Sequence, residues 1–319
     1  MNDNYYNILC ATDDKFVPYC GIMLTSLFEN NKNIKFNVYI ITEGLNRTNI
    51  EDFEKLGKKY LQAISILTID PQNLKDFPIK KSDHVSIVTY YRLFATSLLP
   101  QNIEKVLYLD GDIIINDSIQ DLYNTNIDNY AIGAIIDEDY KNEEKYNRLQ
   151  IPKENYYINA GVLLMNLKYW KEHNIIDKCL TFIEKKKEQI LQHDQDIINA
   201  VLKQNIKRLP IKYNLQTGFL FRERYFFDEN VKKEVQRCLQ QPTIIHYTTI
   251  RKPWIKRCQH PYRNHFHYYR KKSLWKELEM LDADNTKAKL IYYIARIVWT
   301  IGLKKRPKPF IINLQQPIS

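Results

Sequence analysis

Glycine is scarce in this chain, 8 residues in 319, and neither a Gly-x-Gly-x-x-Gly string nor a P-loop string occurs. The backbone cradles that dinucleotide enzymes and P-loop kinases fold around phosphates are therefore excluded. So few glycines also rule out long flexible linkers. Cysteine is sparse: residues 10, 20, 179, 238 and 258 are odd in number, scattered and never spaced Cys-x-x-Cys. Neither a disulfide framework nor a zinc cluster is indicated, and a reducing compartment is expected. Long apolar runs are missing too. The most apolar stretch, Leu290 to Leu303, is 14 residues interrupted by Arg296, whereas a membrane-spanning helix needs about 20. Met1 to Asn7 is polar and leads into a strand without the apolar core of a secretory signal, so a cytoplasmic protein is expected.

What is present is a globular composition, 44% apolar and 26% charged, with 23 tyrosines. The net charge of +10 is not spread evenly. Residues 251–319 carry 16 Lys/Arg against 4 Asp/Glu, a balance of +12, which leaves 31 against 33, or −2, for residues 1–250. Basic residues there are interleaved with Trp254, Tyr262, Phe266, Tyr268, Tyr269 and Trp275. Helical spacing places Leu290, Tyr293, Ile294, Ile297, Val298 and Ile301 on one face, beside Lys289, Arg296 and Lys304-Lys305-Arg306. This predicts a body over 1–256 and a membrane-associating region over 257–319 that lies on an anionic surface, with core packing of the last helix as the plainer alternative. No nucleic-acid partner is expected.

Apolar, β-rich runs recur at Tyr6 to Cys10, Phe36 to Ile41, Ile64 to Ile69, Val106 to Leu109, Ala131 to Ile136, Val162 to Met165 and Thr243 to His246. Helical patterns lie between them: Pro18 to Asn30, Asn49 to Tyr60, Leu167 to Ile190 and Asp194 to Leu202. Lys185-Lys186-Lys187 reads as a solvated face. The class is α/β with a mostly parallel sheet.

The most informative string is Val106-Leu107-Tyr108-Leu109-Asp110-Gly111-Asp112-Ile113-Ile114. Residues two apart on a strand share a side, so both carboxylates can converge on one hard cation at the carboxyl end of the strand, where open α/β sheets bind ligands. Asp-x-Asp by itself says little, since it also occurs at 137/139, 194/196 and 282/284. Ile244-Ile245-His246-Tyr247 ends a strand in a histidine, a residue more often structural than ligating. Were His246 to join Asp110 and Asp112, mixed O and N ligation would favour Mn2+ over Mg2+.

Three further strings admit two readings each. Leu9-Cys10-Ala11-Thr12-Asp13-Asp14 either meets a nucleoside or is an ordinary strand-to-helix turn with a capping carboxylate. In Asn155 to Asn166, Gly161 permits close approach of a ligand and Asn159 can hydrogen-bond a sugar hydroxyl, or the pair marks a strand bulge. His193-Asp194-Gln195-Asp196 is either functional or a well-capped helix start.

Taken in order, Ala11-x-Asp13-Asp14, Thr89 to Leu93, Tyr108 to Asp112, Asn159 to Leu167, Asp194-Gln195-Asp196 and His246-Tyr247 with Lys252-Pro253-Trp254 resemble glycosyltransferase family 8. Within it the bacterial lipopolysaccharide and lipooligosaccharide galactosyl- and glucosyltransferases are the most similar group. The resemblance implies a GT-A fold, a UDP-hexose donor, a glycan or glycolipid acceptor, Mn2+ and retention of anomeric configuration. It implies Asp110, Asp112 and His246 as metal ligands. Ala11 and Asp13 would meet uracil or ribose with Phe16 stacked on the base, while His84, Thr249 and Lys252 would lie at the diphosphate. Arg92, Gly111, Asn159, Asp194 and Gln195 would line the donor-sugar end, and Asp137 the acceptor side. For retention, Gln195 stands at the usual nucleophile position with Asp196 as a second candidate, yet an amide is a feeble nucleophile and front-face attack is the preferred expectation. A haloacid-dehalogenase-like phosphohydrolase, or a binding protein acting through the basic tail, are the competing expectations.

Overall fold

The computed structural model describes residues 5–79, 86–221, 228–250, 252–256 and 258–282. Its strands are β1 (Tyr6–Ala11), β2 (Phe36–Thr42), β3 (Ala63–Thr68), β4 (Lys105–Leu109), β5 (Ile113–Ile115), β6 (Ile132–Ile136), β7 (Ile158–Asn166), β8 (Ile206–Arg208), β9 (Leu215–Gln216) and β10 (Ile244–His246). Seven form one sheet in the order β3-β2-β1-β4-β7-β6-β8, and three form a second, β5-β10-β9. β1 pairs in parallel with β2 and β4, β2 with β3, and β6 with β8. β7 alone reverses direction, antiparallel to both β4 and β6. The mixed, mostly parallel sheet anticipated from the apolar runs is the one observed.

Alternation along the central strands builds two cores. On one face Leu9, Val106, Tyr108, Leu163 and Met165 pack together; on the other lie Ile8, Cys10, Leu107, Leu109, Val162 and Leu164. Both faces are covered, which is why β1, β4 and β7 are apolar throughout rather than alternately polar. The helix Val17–Asn30 carries Pro18 in its first turn, where a missing N–H costs nothing, and is buried on nearly every side. Its polar residues act as staples: Ser26 Oγ accepts from Ile115 N at 2.9 Å, and Asn31 Oδ1 accepts from Ile119 N at 3.0 Å. The helix thereby holds β5 at the site end of the sheet.

The helical zone over 167–190 is broken into Leu167–Glu172, Ile175–Lys186 and a 3-10 turn, Lys187–Gln189. Asn174 sits at φ 49° between the first two, a left-handed conformation that an asparagine tolerates. Lys185, Lys186 and Lys187 are exposed as expected.

Beyond residue 256 the aromatic residues depart from a lipid-facing role. Tyr262, Phe266 and Tyr269 are buried in the same core as β1 and the helix Val17–Asn30. Tyr269 OH accepts from Asn30 Nδ2 at 2.7 Å. Burying rings of this size contributes about 1.5–3 kcal/mol each, which favours the core over a membrane surface. The packing is thus continuous across the expected boundary at 256/257. The apolar face from Leu290 to Ile301 and the basic run at 304–306 lie outside the described residues.

Trp275 rests on the one glycine of that first helix: a Cβ on Gly21 would fall 1.8 Å from a ring carbon of Trp275. Gly21→Ala is expected to destabilise the fold by about 1–3 kcal/mol through overpacking. Trp275→Ala should suppress part of that loss in a double-mutant cycle read by urea unfolding; full additivity would contradict the contact.

Candidate active site

β4 ends at Leu109 and β5 begins at Ile113, so Asp110-Gly111-Asp112 forms the turn between the two sheets. β10 lies antiparallel to β5 with His246 opposite Ile113, and Tyr247 N donates to Asp112 O at 3.1 Å. Pairing therefore delivers the histidine to the acidic turn. His246 Nε2 stands 3.2 Å from Asp112 Oδ1 and 3.9 Å from Asp110 Oδ2. Gly161 on β7 closes the other side: a Cβ there would lie 2.3 Å from His246 Cε1 and 2.7 Å from Asp110 Oδ2. Only glycine lets the three strands meet so closely.

Ligand atoms of Asp110, Asp112 and His246 lie within 4.8 Å of one another, and no second such group occurs among the described residues. Two carboxylate oxygens and one imidazole nitrogen fit a divalent cation. The remaining acceptors of the carboxylates are already held. Asp110 Oδ1 accepts from Arg92 Nη2 and from Tyr108 OH, both at 2.8 Å. Lys252 Nζ donates to Asp112 Oδ2 at 2.5 Å. Burial would raise the Asp112 carboxyl, but Lys252 and His246 hold it well below the usual carboxylate range.

Arg92 is buried, 4% exposed, and every arm of its guanidinium has a protein partner. Besides Asp110 it forms an ion pair with Asp194 at 3.0 Å, donates to the carbonyls of Thr89 and Ala160, and stacks 4.1 Å over the Tyr108 ring. Arg92 thus positions two carboxylates while itself lining the cleft. Burial pushes Asp194 up to about 6 against the pull of Arg92, and Thr89 Oγ1 donates to its other oxygen.

A bulge shifts the β6–β7 register between Ala134 and Ile135, and Asn159 sits beside it. Both readings of that strand hold, since the bulge and a site-facing amide occur together. Asn159 Nδ2 donates to Gln195 Oε1 at 3.1 Å and Asp137 Oδ2 at 3.3 Å; Gln195 Nε2 donates to Asp137 Oδ2 at 3.1 Å. Lys145, buried on the helix Glu143–Leu149, pairs with Asp137 Oδ1 at 3.0 Å. Burial alone would raise the Asp137 carboxyl, but Lys145 and the amide donors hold it below its usual 3.8.

These groups line a cleft of about 630 Å³ that also contains Ala11, Asp13, Lys15 and Phe16 at one end. Asp13 Oδ1 accepts from Phe16 N at 2.9 Å in the turn ahead of the first helix, so an ordinary strand-to-helix turn is present there, although no side chain caps the helix itself. The Phe16 ring fills the space above Gly111, 2.9 Å from where a Cβ would stand, and meets Trp254 edge-on at 5.7 Å. One expectation requires correction. Asp196 does not face the cleft: fully buried, it accepts from Tyr157 OH and from Leu191 N and Gln192 N, each at 2.7 Å, and pairs with Arg148 at 2.8 Å. A carboxylate so saturated, with no access to the sugar, is a structural clamp and not a nucleophile. Thr248 lines the cleft and donates to Glu138 Oε2 at 2.8 Å. His84 lies outside the described residues. The sequence reading also passed over Lys145, Glu138 and Asn214. Asn214 and Gln216, wholly buried around Leu215, were the available signal: amides inside an apolar segment need partners.

Because the folded Asp137 carboxyl titrates below its unfolded value, its ion pair adds stability that is complete above that value and lost as pH falls through the folded one. Lys145→Met is expected to cost about 3–5 kcal/mol near neutral pH by orphaning a buried carboxylate. The loss should shrink as pH falls, because without Lys145 burial raises that carboxyl and it takes up a proton more readily; a pH-independent difference in urea midpoint would refute the pairing.

The glycosyl transferase family 8 profile matches residues 7–258. A lipopolysaccharide 1,2-glucosyltransferase of Escherichia coli is 30% identical over 253 residues, 78% of this chain and 73% of the relative. The lipopolysaccharide 1,3-galactosyltransferase of Salmonella typhimurium is 26% identical over 282 residues, 87% and 81% of the two chains. The galactosyltransferase LgtC, solved in complex with donor and acceptor sugar analogues, superposes with a TM-score of 0.76 at 24% identity, covering 84% of this chain and 96% of its own. That last likeness shows a shared GT-A fold. With the family profile spanning most of the sequence, the phosphohydrolase and non-enzymatic readings fall away: this chain belongs to glycosyltransferase family 8 and is a glycosyltransferase.

Proposed function

We propose that the chain transfers galactose or glucose from a UDP-hexose to a hydroxyl of a lipopolysaccharide-type glycan, with retention of configuration, and uses Mn2+. The observation that carries this reading is the convergence of Asp110, Asp112 and His246 within 4.8 Å, in a cleft whose other groups are amides and carboxylates suited to a sugar. The glucosyl- and galactosyltransferases among the relatives support the hexose and acceptor class. Bound there, a divalent ion would neutralise the diphosphate of the departing UDP.

The protein's own groups supply the rest. Lys252, held at Asp112, places an ammonium beside the diphosphate end. Ala11, Asp13 and Phe16 form the nucleoside end, and Asn159, Asp194 and Gln195 the sugar end, with Asp137 orienting Gln195 toward the acceptor side. Gln195 Oε1 already accepts from Ala160 N and Asn159 Nδ2, each at 3.1 Å. An amide oxygen occupied by two donors is a poor nucleophile, which supports attack by the acceptor hydroxyl on the face UDP leaves. Gln195→Ala retaining measurable transfer with unchanged stereochemistry fits that route; a glycosyl adduct trapped on Gln195 would refute it.

A lipid-linked acceptor calls for work at a membrane, and the reading includes a cytoplasmic enzyme resting on the inner face. No helix of the described residues is long and apolar enough to cross a membrane. Deleting residues 287–319 is expected to move the enzyme from membrane to soluble fractions, and unchanged partitioning would remove this part of the proposal. For the reaction itself, UDP release is measured with Mn2+ and each UDP-sugar separately, with and without lipopolysaccharide acceptors. Release with a UDP-hexose should rise on adding acceptor, and Asp112→Asn should lower it roughly a hundredfold or more at unchanged circular dichroism. An Asp112→Asn enzyme of full activity would overturn the metal assignment.

A further inference from the structure

Imidazole ligates a metal through its unprotonated nitrogen, so the position of one hydrogen decides whether His246 serves at all. The hydrogen-bond pattern around it is anchored by a backbone amide. Gly161 N–H can only donate, and it donates at 3.0 Å to the Asn159 side chain, which makes that atom the amide oxygen Oδ1. The Asn214 atom 2.9 Å from the same oxygen must then be the NH₂ group. Its other end, Oδ1, faces His246 Nδ1 at 2.9 Å, and an amide oxygen accepts only from an N–H. Nδ1 therefore carries a hydrogen, which leaves Nε2, 3.2 Å from Asp112 Oδ1, as the ring nitrogen able to present a lone pair to a cation. Facing a carboxylate, Nε2 needs a positive charge between them, a proton in the metal-free protein or a metal ion in its place.

Asn214 is wholly buried, so no solvent competes for either end of its amide. It follows the 3-10 turn Ile211–Tyr213 and immediately precedes β9, which runs parallel to β10. Strand pairing sets Gln216 opposite His246, and from two positions earlier the Asn214 side chain reaches the ring of a histidine 32 positions further on.

We propose that Asn214 is a positioning residue of the metal centre: linked through Asn159 to the Gly161 amide, it holds His246 in the Nδ1–H form with Nε2 presented to the cation. The proposal rests on the metal reading above. It also joins the two ends of the site, because Asn159 Nδ2 donates to Gln195 and Asp137 while its oxygen fixes Asn214. The hydrogen bonds that order the sugar end and the metal ligand form one chain.

Long-range ¹H–¹⁵N spectra of the metal-free protein labelled in histidine test this directly, the His246 signals being those lost in His246→Gln. The expected pattern is a hydrogen on Nδ1; a ring whose single hydrogen sits on Nε2 would overturn the proposal without need of any Asn214 variant. In Asn214→Leu the Nε2–H form should gain population, and Mn2+ affinity of the nucleotide-free protein, read by electron paramagnetic resonance of free manganese, should fall about ten- to a hundredfold. Asn214→Asp keeps an acceptor opposite Nδ1 and should recover most of that affinity, which a general packing defect at this position would not allow. Wild-type manganese affinity in Asn214→Leu counts against the proposal. Wild-type protein that binds no manganese sinks the metal reading instead, and the nitrogen spectra still decide the ring form.

Discussion

Buried carboxylates have to be matched by cations, and the cleft of this enzyme is arranged around that requirement. Asp110 and Asp194 share Arg92, Asp112 is met by Lys252, and Asp137 by Lys145. Each cation arrives from a different part of the chain, so the charges come into balance only when the fold is complete. An unmatched carboxylate at this depth would protonate or drive the structure apart. Because Arg92 and Lys252 occupy the outer lone pairs of Asp110 and Asp112, the inner oxygens are left facing His246. The ion pairs thus define where a further cation has to go.

The amides do for direction what the ion pairs do for charge. Asn159, Gln195 and Asn214 could each be turned end for end with little change in shape, yet backbone N–H groups of Gly161 and Ala160 fix which end points where. Side chains anchored to a strand backbone lose little further freedom on meeting a substrate, a form of preorganisation suited to catalysis by placement. The bulge in β7 supplies those two amides.

Much of this was legible in the sequence where chemistry and local geometry coincide. The acidic turn after β4, Pro18 in the first turn of its helix and Gly161 beside Asn159 each carry a local physical reason, and all lie where that reason puts them. What escaped depends on depth or on distant partners. Nothing local to Arg92 reveals its ion pairs with Asp110 and Asp194. Asp196 reads like Asp194 two positions earlier, but one helical step turns it from the cleft toward Arg148 and Tyr157. Lys145 has no local feature that separates it from a surface lysine. The aromatic residues after 256 look equally suited to lipid and to core, and only packing against the first helix distinguishes the two.

The dock between Tyr269, Trp275 and the first helix bears on how the chain is made. Asn30 is hydrogen-bonded to a tyrosine 239 residues later, so during synthesis the earliest helix emerges long before its lid. Until that late segment leaves the ribosome, one flank of the helix bearing Gly21 stays bare, and the end of the cleft beside Phe16 stands on an incomplete foundation. Contacts so far apart in sequence form slowly and leave apolar surface uncovered meanwhile. Shortening the chain ahead of Trp275 would therefore remove a wall of the catalytic body itself.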